Sequence, residues 1–153
     1  MSMTEKERYV TDNRLACERL EHLIAAMSDA DLQRPLSAEW TIAAALVHLA
    51  FWDCRQLALL KRWQANGVSP APSDVESINT GVSALALAVP PRAAANLAVS
   101  AAEAIDAEVQ KLTPELAAAI ESAGFRTMLR RSLHRNAHLD DIERALAAPA
   151  GSS

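Results

Sequence analysis

The sequence predicts an all-α fold, a four-helix bundle with long crossover connections, and three observations carry that expectation. Half of the 153 residues are apolar, yet aromatics are only 4% and alanine is abundant, so the core should consist of small and aliphatic side chains between closely spaced helices. Only four glycines and seven prolines occur, and most fall in a few stretches that punctuate helices rather than turn strands. Four long segments carry apolar residues three or four apart, the period of a helix face. A chain of this length can bury a core without disulfide staples, so 1–149 reads as one helical domain and 150–153 as a mobile tail.

The first helix is expected from about Thr4 to Met27, where Val10, Leu15, Leu20, Leu23 and Ile24 recur between charged residues. Ser28 ends it or starts a turn. The segment SDADLQRPLSAEW, with Pro35 and several capping residues, reads as a connector holding at most a short helical turn. The second helix runs from about Thr41 to Asn66, apolar nearly all round in its first half, and closes at Asn66-Gly67 with Lys61 and Arg62 in its last turns. A Pro/Ser loop between Gly67 and Pro72 precedes DVESINTGVSALALA, a shorter helix that Pro90-Pro91 breaks.

Arg92 to Leu112 is the third long helix, with Leu97, Ala101, Ile105, Val109 and Leu112 on one stripe. Thr113 caps a brief segment that Pro114 opens and that runs through Ile120. Ser122-Ala123-Gly124 interrupts it, and Thr127 to Ala147 forms the last long helix. Two of the connections are long enough to cross a bundle end, which favours crossovers over an up-down array.

A formal net charge of −4 provides no broad positive field for phosphate backbones or anionic membranes, so neither nucleic acid nor membrane is an expected partner. The basic run Arg126, Arg130, Arg131 and Arg135 lies near Asp140, Asp141 and Glu143, and reads as a solvated, partly paired helix face. Cys17 and Cys54 are too few for a disulfide framework and match no redox or zinc-finger spacing, so reduced thiols are expected. Met1 to Val10 is charged where a signal peptide needs an apolar core, and the apolar run Thr41 to Trp52 is too short to span a bilayer. The expected location is cytoplasmic.

His134 and His138 are four apart, so both rings project from one face of the last helix, and the same stripe continues through Ile142 and Leu146 toward the core. His48 lies within AAALVHLAFW, where an imidazole loses hydration and needs a partner for its ring nitrogens. Ala44 and Ala45 leave room beside it, and Trp52 walls the same space. Taken singly, each histidine reads as an imidazole bonded to a carbonyl or carboxylate; His22, beside Glu18 and Glu21, reads as a surface residue. Spacing alone leaves a shared metal site and isolated core histidines both open.

The segment EWTIAAALVHLAFWD resembles the tryptophan, polar helix start and His-Leu signature of the DinB-like metalloprotein family. SLHRNAHLDDIERAL resembles that family's C-terminal His-x3-His helix, and DVESINTGVSALA with the third helix resembles its middle region. This resemblance covers most of the chain. It implies that His48, His134 and His138 ligate one divalent metal, nickel or zinc, inside the bundle, and that a homodimer can form through helices. Because relatives include enzymes using low-molecular-weight thiols for transfer or isomerisation, it also implies a small-molecule substrate, with such a thiol as one partner.

Three neutral imidazoles leave zinc or nickel with open positions for water or substrate, the pattern of catalytic rather than structural sites. A metal-bound water or thiol becomes more acidic, which makes hydrolysis and thiol transfer the two candidate reactions. Asp141 is a candidate to orient a ligand imidazole or accept a proton, against the commoner role of a solvent-facing charge. Arg131 is a candidate to hold a substrate carboxylate at the pocket mouth, against a stem lying on the bundle with its head in water. Trp52 reads as core or pocket wall, Trp40 as packing at a helix start, and Trp63 as packing or a dimer contact. Cys54, six positions after His48, falls on a different face and is not expected as a ligand. The competing reading is a non-catalytic bundle that binds metal or a small ligand.

Overall fold

The computed structural model describes residues 2–149, and the expected tail at 150–153 lies outside them. Among the described residues the elements are all helices: α1 (Glu5–Ala26), α2 (Asp29–Leu32), α3 (Ile42–Asn66), α4 (Val75–Ala86), α5 (Pro91–Lys111), α6 (Pro114–Ser122), α7 (Arg126–Leu129) and α8 (Arg131–Ala147). Short-range signals fix most boundaries. Thr4 and Glu7 form a reciprocal capping box on α1, and Ser28 and Asp31 form another on α2. Thr41 and Thr113 cap α3 and α6, with Pro114 opening the latter. Gly67 ends α3 at φ 80°, a conformation that favours a residue without Cβ.

The long helices α1, α3, α5 and α8 form the bundle. Helix α3 packs on α5 and α8, and α1 packs on the same two, so α1 and α3 lie across one diagonal and α5 and α8 across the other. Segments 27–41 and 112–130 therefore join diagonal helices over the bundle ends, which realises the expected crossovers. Two apolar clusters fill the interior. One gathers Leu20, Ile24, Leu46, Ala98 and Ile142, and the other Tyr9, Leu60, Trp63, Ile105 and Leu129. By length and composition α3 could cross a membrane, but 67% of its most apolar window is buried inside the bundle, which accounts for its character as a core helix.

Two expectations about the buried faces change. Leu15 and Leu97 point outward, 51% and 49% exposed. The inward stripe of α1 is Tyr9, Asn13, Ala16, Cys17, Leu20 and Ile24, and that of α5 is mostly alanine. Small residues let the axes approach, so a stripe traced through the leucines misses the true seam. The last helix is also not continuous. It breaks at Arg130 (φ −102°, ψ 67°) between α7 and α8. Asn13 of α1 heals the break: its Nδ2 donates to the Leu129 carbonyl (2.8 Å), and its Oδ1 accepts the Ser132 N–H (2.9 Å).

Candidate metal centre

His48 comes from α3, and His134 and His138 come from successive turns of α8. One ring nitrogen from each lies within 4.8 Å of the others. The ring centroids are 5.2 Å apart for His48 and His134, and 4.8 Å for the other two pairs. The predicted convergence is therefore present. Trp40 roofs it because the chain before α3 folds back on itself: Leu36 N–H donates to the Trp40 carbonyl (2.8 Å), and Ile42 N–H to the Arg34 carbonyl (3.0 Å). Its ring lies 4.9 Å from that of His48 and nearly parallel to that of His138 at 6.3 Å.

Hydrogen bonding around the cluster is uneven. Arg131 donates from Nη2 to His134 Nδ1 (3.3 Å), and His134 Nε2 lies 3.2 Å from His48 Nε2. A guanidinium has no acceptor, so the His134 ring proton resides on Nε2 and donates to His48 Nε2. His48 Nδ1 then carries a proton, and this buried atom has no partner among the described residues. Burial depresses all three imidazoles: His48 to about 4, aided by His138; His134 to about 3, aided by the charge of Arg131; and His138 downward, partly opposed by Asp141. Near neutral pH all three are uncharged, and a cation held by Nε2 of His48 and His134 would replace the proton they share, with the His134 proton moving to Nδ1.

Beside the cluster lies a second polar layer. Arg131 Nε donates to Asp53 Oδ1 (2.8 Å) and its Nη1 to the Thr127 carbonyl (3.2 Å). Arg135 donates to both Asp106 oxygens (3.1 Å each), to Asp53 Oδ2 (3.3 Å) and to the Asn13 carbonyl (2.9 Å). Arg130 pairs with Glu121 (2.8 Å) and Glu5. The basic run expected to be a solvated face is thus largely interior, with Arg130, Arg131 and Arg135 at 8%, 4% and 1% exposure. Pairing with carboxylates from α1, α3, α5 and α6 makes that burial tolerable. The acids expected to pair with them go elsewhere: Asp140 and Glu143 to Arg19, and Asp141 to Arg144.

The cluster faces a cleft of about 610 Å³ walled by Trp40, Trp52, Val75 and Leu133, with Gln56 and Asn79 adding amides. A second cleft of about 480 Å³ shares Trp40 and His138 and contains Asp141 and Arg144. Arg131 does line the larger cleft, yet its head is neither in water nor free for a carboxylate. Asp141 is half-exposed and paired with Arg144. Trp63 is buried, donates to Ser69 Oγ (3.2 Å) and packs on Phe125, so it is core rather than a dimer contact. Cys54 and His22 are exposed and apart from the cluster, as expected. Sequence reasoning missed Trp40 as a site wall, and also Asp53, Gln56 and Asn79. An acid directly after Trp52 in an apolar helix was the available signal for Asp53; Asn79 had none.

The residues fit a divalent ion of borderline softness. Three uncharged imidazoles from two rigid helices converge beside an open cleft, with one nitrogen from each within 4.8 Å of the others. No curated protein and no solved structure gave a match to the chain. The sequence model of the DinB superfamily matches residues 14–148, spanning all three histidines, the roofing tryptophan, α3, α5, α8 and the C-terminal part of α1, and on that match the chain belongs to the DinB superfamily.

Proposed function

We propose that this chain is a metal-dependent enzyme, a thiol-dependent transferase or small-molecule hydrolase, in which His48, His134 and His138 hold zinc or nickel. The observation that carries the reading is the placement of three neutral imidazoles at an open cleft rather than in a closed core. Such an ion, when bound, supplies a Lewis acid that acidifies a coordinated water or thiol. The chain's own contribution is positional. Asp53 fixes Arg131 beside the ring of His134, and Trp40 keeps water from one side of His48 and His138.

A second reading, a non-catalytic metal- or ligand-binding bundle, draws support from the same ion pairs. Arg130, Arg131 and, in the neighbouring cleft, Asp141 are each engaged by a partner, so among the described residues the histidines are the free acids or bases at the site. Elemental analysis of untagged protein tests the metal first. Near-stoichiometric zinc or nickel in the wild type, lost in His48→Ala and His138→Ala, is the expected result. Equal content in all three proteins would sink it. Turnover by the loaded protein in thiol-transfer and ester or amide assays then separates enzyme from binding protein.

A further inference from the structure

Any molecule approaching the histidines from the larger cleft meets arginines already committed to carboxylates. Arg130 gives its guanidinium to Glu121 (2.8 Å) and Glu5 and lies over the ring of Tyr9 at 4.9 Å. Arg131 is held by Asp53, which it shares with Arg135, itself bridged to Asp106. The first group sets one cation against two carboxylates and the second sets two against two. Neither arginine can turn to an incoming anion without stripping a carboxylate of its partner, and their side chains are only 9% and 4% exposed. Arg55 stacks on Trp52 at 5.5 Å and does not line the cleft.

Besides the histidines, the remaining polar side chains are uncharged: the Thr127 hydroxyl and the amides of Asn79 and Gln56. Asn79 accepts the Trp52 indole N–H on Oδ1 (2.9 Å), and its own amide N–H groups make no bond among the described residues. The Gln56 amide nitrogen is uncommitted in the same way. Trp40 and Trp52 provide flat apolar surface, and Val75 and Leu133, 50% and 62% exposed, add aliphatic surface.

We infer that this cleft selects uncharged organic molecules that combine a flat apolar group with a carbonyl-type acceptor for Asn79 and Gln56, and that it rejects molecules whose body carries a charge. The inference names the substrate class of the proposed site and so rests on the reading of this cleft as the place where substrate binds. It also replaces the expectation that Arg131 clamps a carboxylate.

Benzamide, benzoate and benzamidine share a shape and differ in charge, which makes them suitable probes. Each is titrated into chelator-treated protein at about pH 8, where ordinary imidazoles are neutral, and followed by tryptophan fluorescence and the Trp52 indole resonance. Benzamide should bind saturably and about tenfold or more tightly than either ion. The double substitution Glu5→Gln with Glu121→Gln removes both partners of Arg130 and should close the gap for benzoate. As an independent variant, Asn79→Asp keeps an acceptor for Trp52 and should shift preference from benzamide to benzamidine. Benzoate binding as well as benzamide in the wild type overturns the inference, as does benzamide giving no saturable change at millimolar concentration. Selectivity that neither variant alters also overturns it. A zinc titration on the same preparation decides the metal reading separately: protein that binds zinc without discriminating the probes loses this inference alone, and protein that discriminates them without binding zinc loses only the metal.

Discussion

Two polar regions lie side by side between α3 and α8, and they treat their hydrogen-bonding capacity in opposite ways. In the arginine–aspartate layer, Asp53, Asp106, Arg131, Arg135 and Asn13 tie four helices together through charged hydrogen bonds, and among the described residues only Arg135 Nε is left there as a buried side-chain atom without a partner. In the histidine cluster one hydrogen bond joins His48 and His134, and among the described residues His48 Nδ1 has no partner. A buried network that is nearly satisfied rigidifies a fold, whereas unmatched buried donors and acceptors beside a cleft cost stability and persist where a ligand uses them. Arg131 belongs to both regions, so the satisfied layer orients the unsatisfied one.

The largest effect expected from this contrast is on folding. Arg135→Met removes, among the described residues, the only ion-pair partner of Asp106 and one of the two on Asp53, leaving carboxylates at 16% and 4% side-chain exposure. Breaking a buried pair in this way costs about 3–5 kcal/mol. His138→Ala, at a half-buried ring without a strong partner, should cost clearly less while removing metal affinity. Chemical denaturation of both variants, prepared without metal, measures the difference. Equal losses would erase the distinction between a structural layer and a ligand site.

A smaller effect is expected from protons. The imidazoles are depressed in the folded chain, to about 4 at His48 and about 3 at His134, below an unfolded value of about 6.5. Above about pH 6.5 neither state binds the protons and these groups leave stability unchanged. As pH falls below it, the unfolded chain takes up protons that the folded chain refuses, so stability declines down to the folded values. The slope is about 1.4 kcal/mol per pH unit for each such group. His48→Gln should flatten the decline of the metal-free protein between about pH 6 and pH 4.5, and an unchanged slope would contradict the burial of that ring. The same competition should weaken metal binding between about pH 7.5 and pH 5. An affinity constant over that range would place the ion on other groups.

What could be read in the sequence follows the range of the forces involved. Thr4, Thr41, Thr113 and Gly67 act within one helical turn, and each boundary they announce is where it was expected. His134 and His138 share a turn, and His48 sits in a run too apolar for a stray imidazole, so the cluster could be anticipated once the family resemblance joined the two segments. The arginines could not be placed in the same way. Arg131 finds Asp53 78 positions away, Arg130 finds Glu5 125 away, and the break at Arg130 depends on Asn13, 116 positions from the carbonyl it satisfies. No local pattern encodes such partners, and a run of arginines on a helix looks solvated until the opposing carboxylates appear. Leu15 and Leu97 mislead for a related reason, since close helix approach places alanine rather than leucine at the seam.

The smallest effect expected is from removal of metal, and it bears directly on the contrast between the two layers. A structural ion would be the tie between α3 and α8, and chelation would then unfold the chain because metal affinity would be coupled to folding. Here the tie is already supplied by protein groups: Arg131 and Arg135 both reach Asp53 across that interface, and the two apolar clusters continue on either side of it. The chelated protein should therefore keep its helical circular dichroism at room temperature. Its melting temperature should fall by about 10 °C or less, the size of a ligand-linkage effect of a few kcal/mol in a chain this long. In the background of Arg135→Met, with the protein tie weakened, the same chelation should lower the melting temperature further, because the ion would then carry part of the work of joining the helices. Complete unfolding of the wild type on chelation would assign that work to the ion and make the site structural. A folded, chelated protein that regains its metal but turns over no thiol, ester or amide substrate would instead favour the binding-protein reading.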